Sequence, residues 1–298
     1  MSQHFIHRPQ CELCGSSQKT ILLSRPFLDQ SIWPFLERYY EGQIEQHYLQ
    51  DAGYEVAKCL LCGFIWQTNV FNETLMDKLY NEWISADISL NKKLASDVTL
   101  FSKYAREVEA VAPLLGKKPG ETTILDFGMG WGHWCLMAKA FGYNITGFEV
   151  SAKRIAFAKA HGVTVIENFE QLKEYQFDFI QSEQVFEHIL QPGQTLATLS
   201  TYLKPGGVIR LATPNGHKTE QNLKHSAWQA SKDALHPLEH INCYTPQSFI
   251  ELGKRANLKM IKSPFIAPYR FGLKKRVGDF LRKYYWQNTG LTFYFRKI

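Results

Sequence analysis

The chain has 298 residues, 45% of them apolar and 21% charged, with a net charge of +6 and a pI near 8.9. That length holds one α/β core plus a smaller module, and the composition is ordinary for a globular protein. No uninterrupted apolar run is long enough to cross a bilayer, and the start, MSQHFIHRPQCELC, lacks the charged-then-apolar layout of a signal peptide. A cytoplasmic protein without a membrane span is expected, and no internal repeat or low-complexity tract interrupts it.

Two CxxCG knuckles open the chain, Cys11-Glu-Leu-Cys14-Gly15 and Cys59-Leu-Leu-Cys62-Gly63, while Cys135 and Cys243 stand alone. Thiolates two residues apart reach one metal from a tight turn, and two such turns complete a tetrahedral site whose usual metal is zinc. Disulfides are the competing reading, which a cytosolic chain disfavours. Four thiolates leave no open position, so this zinc is expected to be structural. Between the knuckles, FLERYYEGQIEQHYL (Phe35 to Leu49) reads as a partly helical insertion. Residues 1–70 are therefore expected to form a zinc-ribbon module. Residues 71–115 follow as a connector rich in aromatics (Phe71, Tyr80, Trp83) ending in a helix from Leu100 to Leu115. A turn at Gly116 to Gly120 begins the core, residues 116–298.

Ile124 to Ser151 reads ILDFGMGWGHWCLMAKAFGYNITGFEVS. An apolar strand containing Asp126 flows into Gly128, Gly130 and Gly132, a helix, and a second strand ending on Glu149. Glycines let the backbone turn tightly and lie against a ligand. The terminal acid, roughly 20 residues on, can accept hydrogen bonds from both ribose hydroxyls. A dinucleotide fingerprint needs glycine at its sixth position to leave the helix N-terminus bare for a pyrophosphate. Here that position is His133, flanked by Trp131 and Trp134, which suits a nucleoside ligand without a pyrophosphate. Further strands are predicted at 163–167, 177–182, 207–212 and 258–263, with a last antiparallel strand at 291–297. Lys204-Pro205-Gly206-Gly207 reads as a turn before the strand VIRLA.

Residues Asn215 to Tyr244 exceed an ordinary βα loop, and long loops after strands carry function. This one holds His236-Pro237-Leu238-Glu239-His240, just before a helix expected to be capped by Thr245 with Pro246 at its first position. The six Lys/Arg of Tyr269 to Lys283 read first as a solvated basic face and second as a grip on an anionic partner.

The acid-apolar-GxGxG run resembles the first motif of the class I S-adenosylmethionine-dependent methyltransferases. FDFIQ followed by Glu187-His188, and LKPGG before an apolar strand, resemble the fourth- and fifth-strand motifs of the same family. The resemblance implies an α/β, Rossmann-like seven-stranded sheet with the small N-terminal zinc-ribbon module attached. It implies a donor held by Asp126, Gly128, Met129, Gly130, Gly132, Glu149, Val150, Asn168, Glu183 and Gln184. In such a plan the segment around His240 overhangs the donor. A hydroxyl acceptor needs its proton taken as the bond to carbon forms. His240 is the first candidate base, with Glu239 as its orienter, and His188 the second.

The knuckles, Leu79-Tyr80 and the PLEHIN run at Pro237 to Asn242 resemble a narrower group of zinc-ribbon methyltransferases acting on deoxysugars and polysaccharides. That likeness gives Tyr80 and His240 candidate active-site roles. The deoxysugar C-methyltransferases carry a further large domain, so O-methylation of a sugar, nucleotide-sugar, glycan or other hydroxylated metabolite is the expectation. Some class I relatives hold a divalent ion with E-x-x-E-H after the fourth strand. The matching run here is Gln184-Val185-Phe186-Glu187-His188, with His236 or His240 as a further ligand. Two alternatives stay open: an RNA methyltransferase gripping phosphates with ribbon and basic tail, and a silent adaptor recruiting partners through its zinc module.

Overall fold

A computed structural model describes residues 4–96, 98–264 and 290–298; the basic stretch Tyr269 to Lys283 lies outside the described residues. Two compact units are present. One takes the chain up to Asn91 together with Phe186–Gly193 and Pro214–Leu252; the other takes Lys92–Val185, Gln194–Thr213 and Gly253–Ile298.

The first unit begins with β1 (Phe5–His7), β2 (Lys19–Pro26), α1 (Trp33–Tyr39), β3 (Gly53–Cys59), β4 (Ile65–Gln67), β5 (Asn69–Phe71) and α2 (Glu73–Lys78). β2 and β3 pair antiparallel from Lys19↔Cys59 to Pro26↔Gly53, so the strand register delivers the second knuckle to the end of the hairpin. The 35–49 insertion is partly helical, with α1 and a short 3-10 turn at Gln46–Leu49. Asn72 caps α2 by accepting the Leu75 N–H at 3.0 Å. A π-helical turn, Leu79–Trp83, follows and carries Tyr80.

α3 (Ala86–Leu94), α4 (Val98–Glu109) and α5 (Val111–Leu115) come next. The predicted 100–115 helix is divided at Ala110, and Pro113, three residues on, lacks the N–H that a continuous helix would give to Glu109. The second unit then alternates β6 (Thr123–Phe127), α6 (His133–Ala140), β7 (Asn144–Phe148), α7 (Ala152–Ala160), β8 (Thr164–Ile166), α8 (Phe169–Leu172), β9 (Phe177–Glu183), α9 (Pro192–Thr201) and β10 (Leu203–Thr213). The chain re-enters the first unit for α10 (Thr219–Leu223) and β11 (Asn242–Cys243), and finishes with α11 (Pro246–Arg255), β12 (Leu258–Ile261) and β13 (Leu291–Lys297).

The second unit's sheet has seven strands in the order β12-β13-β10-β9-β6-β7-β8. β13 runs antiparallel to β10 and β12, and the β10-β9-β6-β7-β8 pairs are parallel. This is the expected α/β sheet. Its central strands are buried on both faces, as cover by helices on both sides requires: every residue from Phe177 to Ser182 is buried, the polar Asp178 and Gln181 included. The Lys204–Gly207 stretch is an irregularity inside β10, where register shifts between Leu203 and Val208, and not a free turn. The first unit's four-stranded sheet has the order β11-β4-β3-β2. Its core joins Phe27, Leu36, Tyr54 and Val56 to Trp228, Leu235 and Leu238 of the long insertion. At the start of α11, Thr245 and Ser248 cap reciprocally, Ser248 N–H to Thr245 Oγ1 at 3.2 Å and Thr245 N–H to Ser248 Oγ at 2.9 Å.

Candidate active site

In an α/β sheet the ligand end is the carboxyl end of the parallel strands. β6 ends there in the glycine turn, with Gly128, Gly130 and Gly132 at φ +76°, +58° and +76°. The Gly128 and Met129 N–H groups donate to Phe148 O at 2.9 and 3.0 Å, which stitches the turn to β7. Glu149 completes it. Its Oε2 accepts the Gly130 N–H at 3.0 Å, and its Oε1 accepts those of Val150 and Ser151 at 2.9 and 3.0 Å. Three main-chain donors thus fix the Glu149 carboxylate at the end of β7. A Cβ on Gly130 would meet no atom within 4 Å, whereas one on Gly128 would lie 2.4 Å from Val185 Cγ2. Gly128 is thus required by the fold, and Gly130 leaves room beside the turn for a ligand. These features fit the nucleoside part of S-adenosylmethionine.

The other donor candidates sit on the same strand ends. Met129 packs its sulfur over Gly147, and Val150 is 74% exposed beside Glu149. Asn168 caps α8, accepting Gln171 N–H at 3.1 Å. Gln184 holds φ +57° while its N–H donates to Ala212 O at 2.8 Å, a costly conformation for a residue with a Cβ. Asp126 is buried, its Oδ2 accepting the Cys135 thiol at 3.4 Å, and burial pushes its carboxyl up to about 7.

Sequence reasoning missed what holds Glu183. Arg210, 3% exposed, donates to Glu183 Oε2 at 3.0 Å, Gln181 Oε1 at 2.7 Å and Glu107 Oε1 at 2.7 Å, and Lys103 Nζ also bonds Glu183. Burial raises the Glu183 carboxyl, but Arg210 and Lys103 outweigh it and hold the group below the usual range. The signal was available: an arginine in the middle of an otherwise apolar strand must have a carboxylate partner.

Four sulfurs meet in the first unit. Cys11 and Cys62 Sγ are 3.5 Å apart, Cys14 and Cys59 Sγ 3.4 Å, and all four lie within 4.8 Å of one another. A bonded pair would be at about 2.05 Å; a zinc tetrahedron with Zn–S near 2.3 Å needs sulfurs about 3.8 Å apart. Gly15 and Gly63, at φ +69° and +71°, close the knuckles as their N–H groups return to Cys11 O and Cys59 O. The residues present fit a tetrahedral metal.

The same unit gathers every catalytic candidate. His188 Nδ1 is 2.9 Å from Glu239 O and 3.2 Å from Tyr80 Oη. His240 Nδ1 is 2.7 Å from Asp233 O. A carbonyl oxygen only accepts, so Nδ1 carries a proton in both rings. The two rings meet edge to face, centroids 5.0 Å apart. Burial pulls His240 down to about 4, so it is a neutral imidazole at pH 7. The Glu239 carboxylate does not face His240. It accepts Tyr40 Oη–H at 2.8 Å and lies 3.8 Å from His236 Nε2, and the Asp233 carbonyl orients His240 instead. Burial raises the Glu239 carboxyl and pulls His236 to about 3. One ligand atom each from Glu187, His188 and His240 lie within 4.8 Å of one another. Tyr40 had no sequence signal because it meets Glu239 from 199 residues away, and Asp233 had none because its contact to His240 is made by the main-chain carbonyl.

Comparison with known proteins gives the family. The family model described as "Methyltransferase domain" matches residues 97–263. A ubiquinone biosynthesis O-methyltransferase of Bradyrhizobium sp. (strain ORS 278) is 29% identical over 162 residues, 51% of this chain and 57% of that protein. The enzyme of the same name from Caulobacter vibrioides is 29% identical over 124 residues, 38% and 47% of the two chains. The chain thus spans about half the length of the curated relatives it matches. Among solved structures, the plantazolicin methyltransferase BpumL, in complex with a desmethylPZN analogue and SAH, superposes with a TM-score of 0.51 at 20% identity. That match covers 75% of this chain and 93% of BpumL and speaks to the fold. With the family model spanning more than half its length, the chain belongs to the class I S-adenosylmethionine-dependent methyltransferases.

Proposed function

We propose that the protein methylates a hydroxyl group of a small molecule or glycan, a sugar or nucleotide-sugar in particular, with S-adenosylmethionine as donor. The donor supplies a sulfonium-activated methyl group. The chain's part is to bind and orient both partners and to take the proton of the acceptor. Glu149, the glycine turn, Met129, Val150, Asn168 and the strand-end residues Asp126, Glu183 and Gln184 hold the donor. His240 and His188 serve the acceptor, with Tyr80 bonded to His188. As the oxygen–methyl bond forms and the sulfur–methyl bond breaks, the hydroxyl proton passes to an imidazole Nε2. The observation that carries this reading is that His240, a neutral imidazole whose Nδ1–H is committed to the Asp233 carbonyl, keeps Nε2 as its basic nitrogen and meets the His188 ring edge to face at 5.0 Å. The names of the O-methyltransferase relatives agree with an oxygen acceptor.

The four cysteines are read as a structural zinc site. A second reading of the histidine cluster is favoured by one observation: Glu187, His188 and His240 converge, and each imidazole gives its other nitrogen to a carbonyl, as metal-binding histidines do. There the three residues would hold a divalent ion against the acceptor hydroxyl. The experiment is a screen of nucleotide sugars, glycan fractions and phenolic alcohols with methyl-labelled donor, run with and without EDTA. Base-safe O-linked label is expected, abolished in His240→Ala with S-adenosylhomocysteine affinity retained. Label transferred equally well by His188→Ala and His240→Ala would overturn the assignment; loss of label in EDTA, restored by a divalent ion, would select the metal-held form.

A further inference from the structure

Arg8 precedes the first knuckle and belongs to no motif, yet its side chain is among the most completely buried in the chain, 2% exposed. Its guanidinium donates through Nη1 to Ile241 O at 3.2 Å and Gln67 O at 3.4 Å. Through Nη2 it donates to Leu190 O at 3.2 Å and to Asn242 Oδ1 at 2.8 Å. Nε lies 3.5 Å from Glu12 Oε1. Only a planar fork of five N–H groups can reach so many acceptors from one side chain.

The bond to Asn242 has a directional consequence. Because Oδ1 takes the guanidinium N–H, the amide nitrogen Nδ2 is left to donate, and it does so to Phe186 O at 3.0 Å and Ile189 O at 2.6 Å. Those two carbonyls bracket Glu187 and His188. Tyr244 Oη–H adds a bond to Phe186 O at 3.1 Å. Leu190 lies two residues beyond His188, and Ile241 directly follows His240, so the same guanidinium also holds the far flank of one imidazole and the near flank of the other. We infer that Arg8 and Asn242 form a relay of positioning residues that sets the placement of His188 and His240 from the base of the first knuckle. The relay rests on the reading that these imidazoles serve the acceptor; neither Arg8 nor Asn242 touches it.

Two substitutions separate the links. Arg8→Lys keeps the charge but replaces the fork by a point donor that cannot span Leu190 O, Ile241 O and Asn242 Oδ1 together. Asn242→Asp keeps size and a partner for Arg8, but turns an oxygen toward the Phe186 and Ile189 carbonyls. The test uses full-length protein labelled with 15N-histidine. Long-range 1H–15N spectra of the imidazoles report tautomer without any acceptor, and calorimetry with S-adenosylhomocysteine reports the donor site. In the parent, His188 and His240 should be Nδ1–H tautomers. Both variants should move the His188 signals toward mixed tautomers, leave donor affinity within about 2-fold, and lower methyl transfer about 100-fold, the cost of an ångström-scale misplacement. In Arg8→Ala, added guanidinium should restore the signals and part of the turnover; if that variant does not fold, Arg8→Lys carries the test. Unchanged histidine spectra would overturn the relay, as would turnover within 3-fold of the parent in both variants while His188→Ala and His240→Ala are inactive. Shifted spectra combined with full activity of His188→Ala and His240→Ala would instead sink the acceptor assignment and leave the relay standing.

Discussion

Gly130→Ala separates what the glycine turn does for the fold from what it does for the donor. Gly130 sits at φ +58°, where an L-residue costs about 1–2 kcal/mol. Its new Cβ would meet no protein atom within 4 Å, so no steric cost adds to that. At about 2–4 °C per kcal/mol for a domain of this size, Tm should fall by roughly 2–8 °C. The methyl would stand in the space beside the turn where the donor is proposed to lie, and at 1.4 kcal/mol per tenfold a penalty of about 2–3 kcal/mol weakens binding about 30- to 140-fold. Gly128→Ala is the internal control. Its Cβ would lie 2.4 Å from Val185 Cγ2 and 3.1 Å from Cγ1, adding about 1–3 kcal/mol of overpacking to the same backbone cost, so it should lose more stability than Gly130→Ala. Differential scanning fluorimetry and calorimetry with S-adenosylhomocysteine read the two quantities separately. The reasoning fails if Gly130→Ala binds within 3-fold of the parent, or if Gly130→Ala unfolds more readily than Gly128→Ala.

Glu149→Gln should keep the fold but weaken S-adenosylhomocysteine about 10- to 100-fold, since hydrogen bonds to a charged acceptor contribute about 1.5–3 kcal/mol each; an unchanged Kd would remove the carboxylate from the ribose site. Asp178 provides a pH handle. Burial pushes its carboxyl up, but Lys117 and Lys204 ammonium groups at 2.6 and 2.8 Å and two Thr123 donors outweigh that and hold it well below the usual range. Its contribution to stability is therefore complete above the unfolded carboxylate value of about 3.9 and lost as pH falls through the lower folded value. Asp178→Asn should be less stable at pH 7 and show a shallower loss between about pH 4 and 2 in urea titrations; parallel curves for parent and variant would contradict this. Metal analysis should find one zinc per chain, and a chelator or Cys14→Ser should lower Tm sharply, because structural zinc contributes about 10 kcal/mol or more to folding in small modules. Protein free of zinc with an unchanged Tm would exclude the metal.

The glycine turn was legible because its signals are local. A strand, three glycines and an acid lie within one short segment, and each glycine is needed for a backbone angle that the structure shows at φ near +60° to +76°. The cysteine knuckles were legible for the same reason. What could not be read depends on contacts between distant positions. The sequence pairs Glu239 with its neighbour His240, but the carboxylate turns to Tyr40, 199 residues away, and a main-chain carbonyl does the orienting. Likewise 186–193 and 214–252 share a compact unit with the N-terminal segment, because Trp228, Leu235 and Leu238 bury against Phe27, Leu36 and Tyr54, and no periodicity announces which core an insertion will join. Lys204–Gly207 carries the composition of a turn, yet the ladder with β9 resumes at Val208↔Phe179 and absorbs it as an irregularity. Sheet pairing overrode local turn preference there.

The central claim is that the glycine turn and Glu149 hold S-adenosylmethionine. Calorimetric titration of the purified full chain with S-adenosylhomocysteine tests it most directly, with Glu149→Gln titrated alongside. One site per chain with micromolar affinity is expected, weakened at least tenfold in the variant. No heat of binding in the parent, or equal affinity in the two proteins, would contradict it.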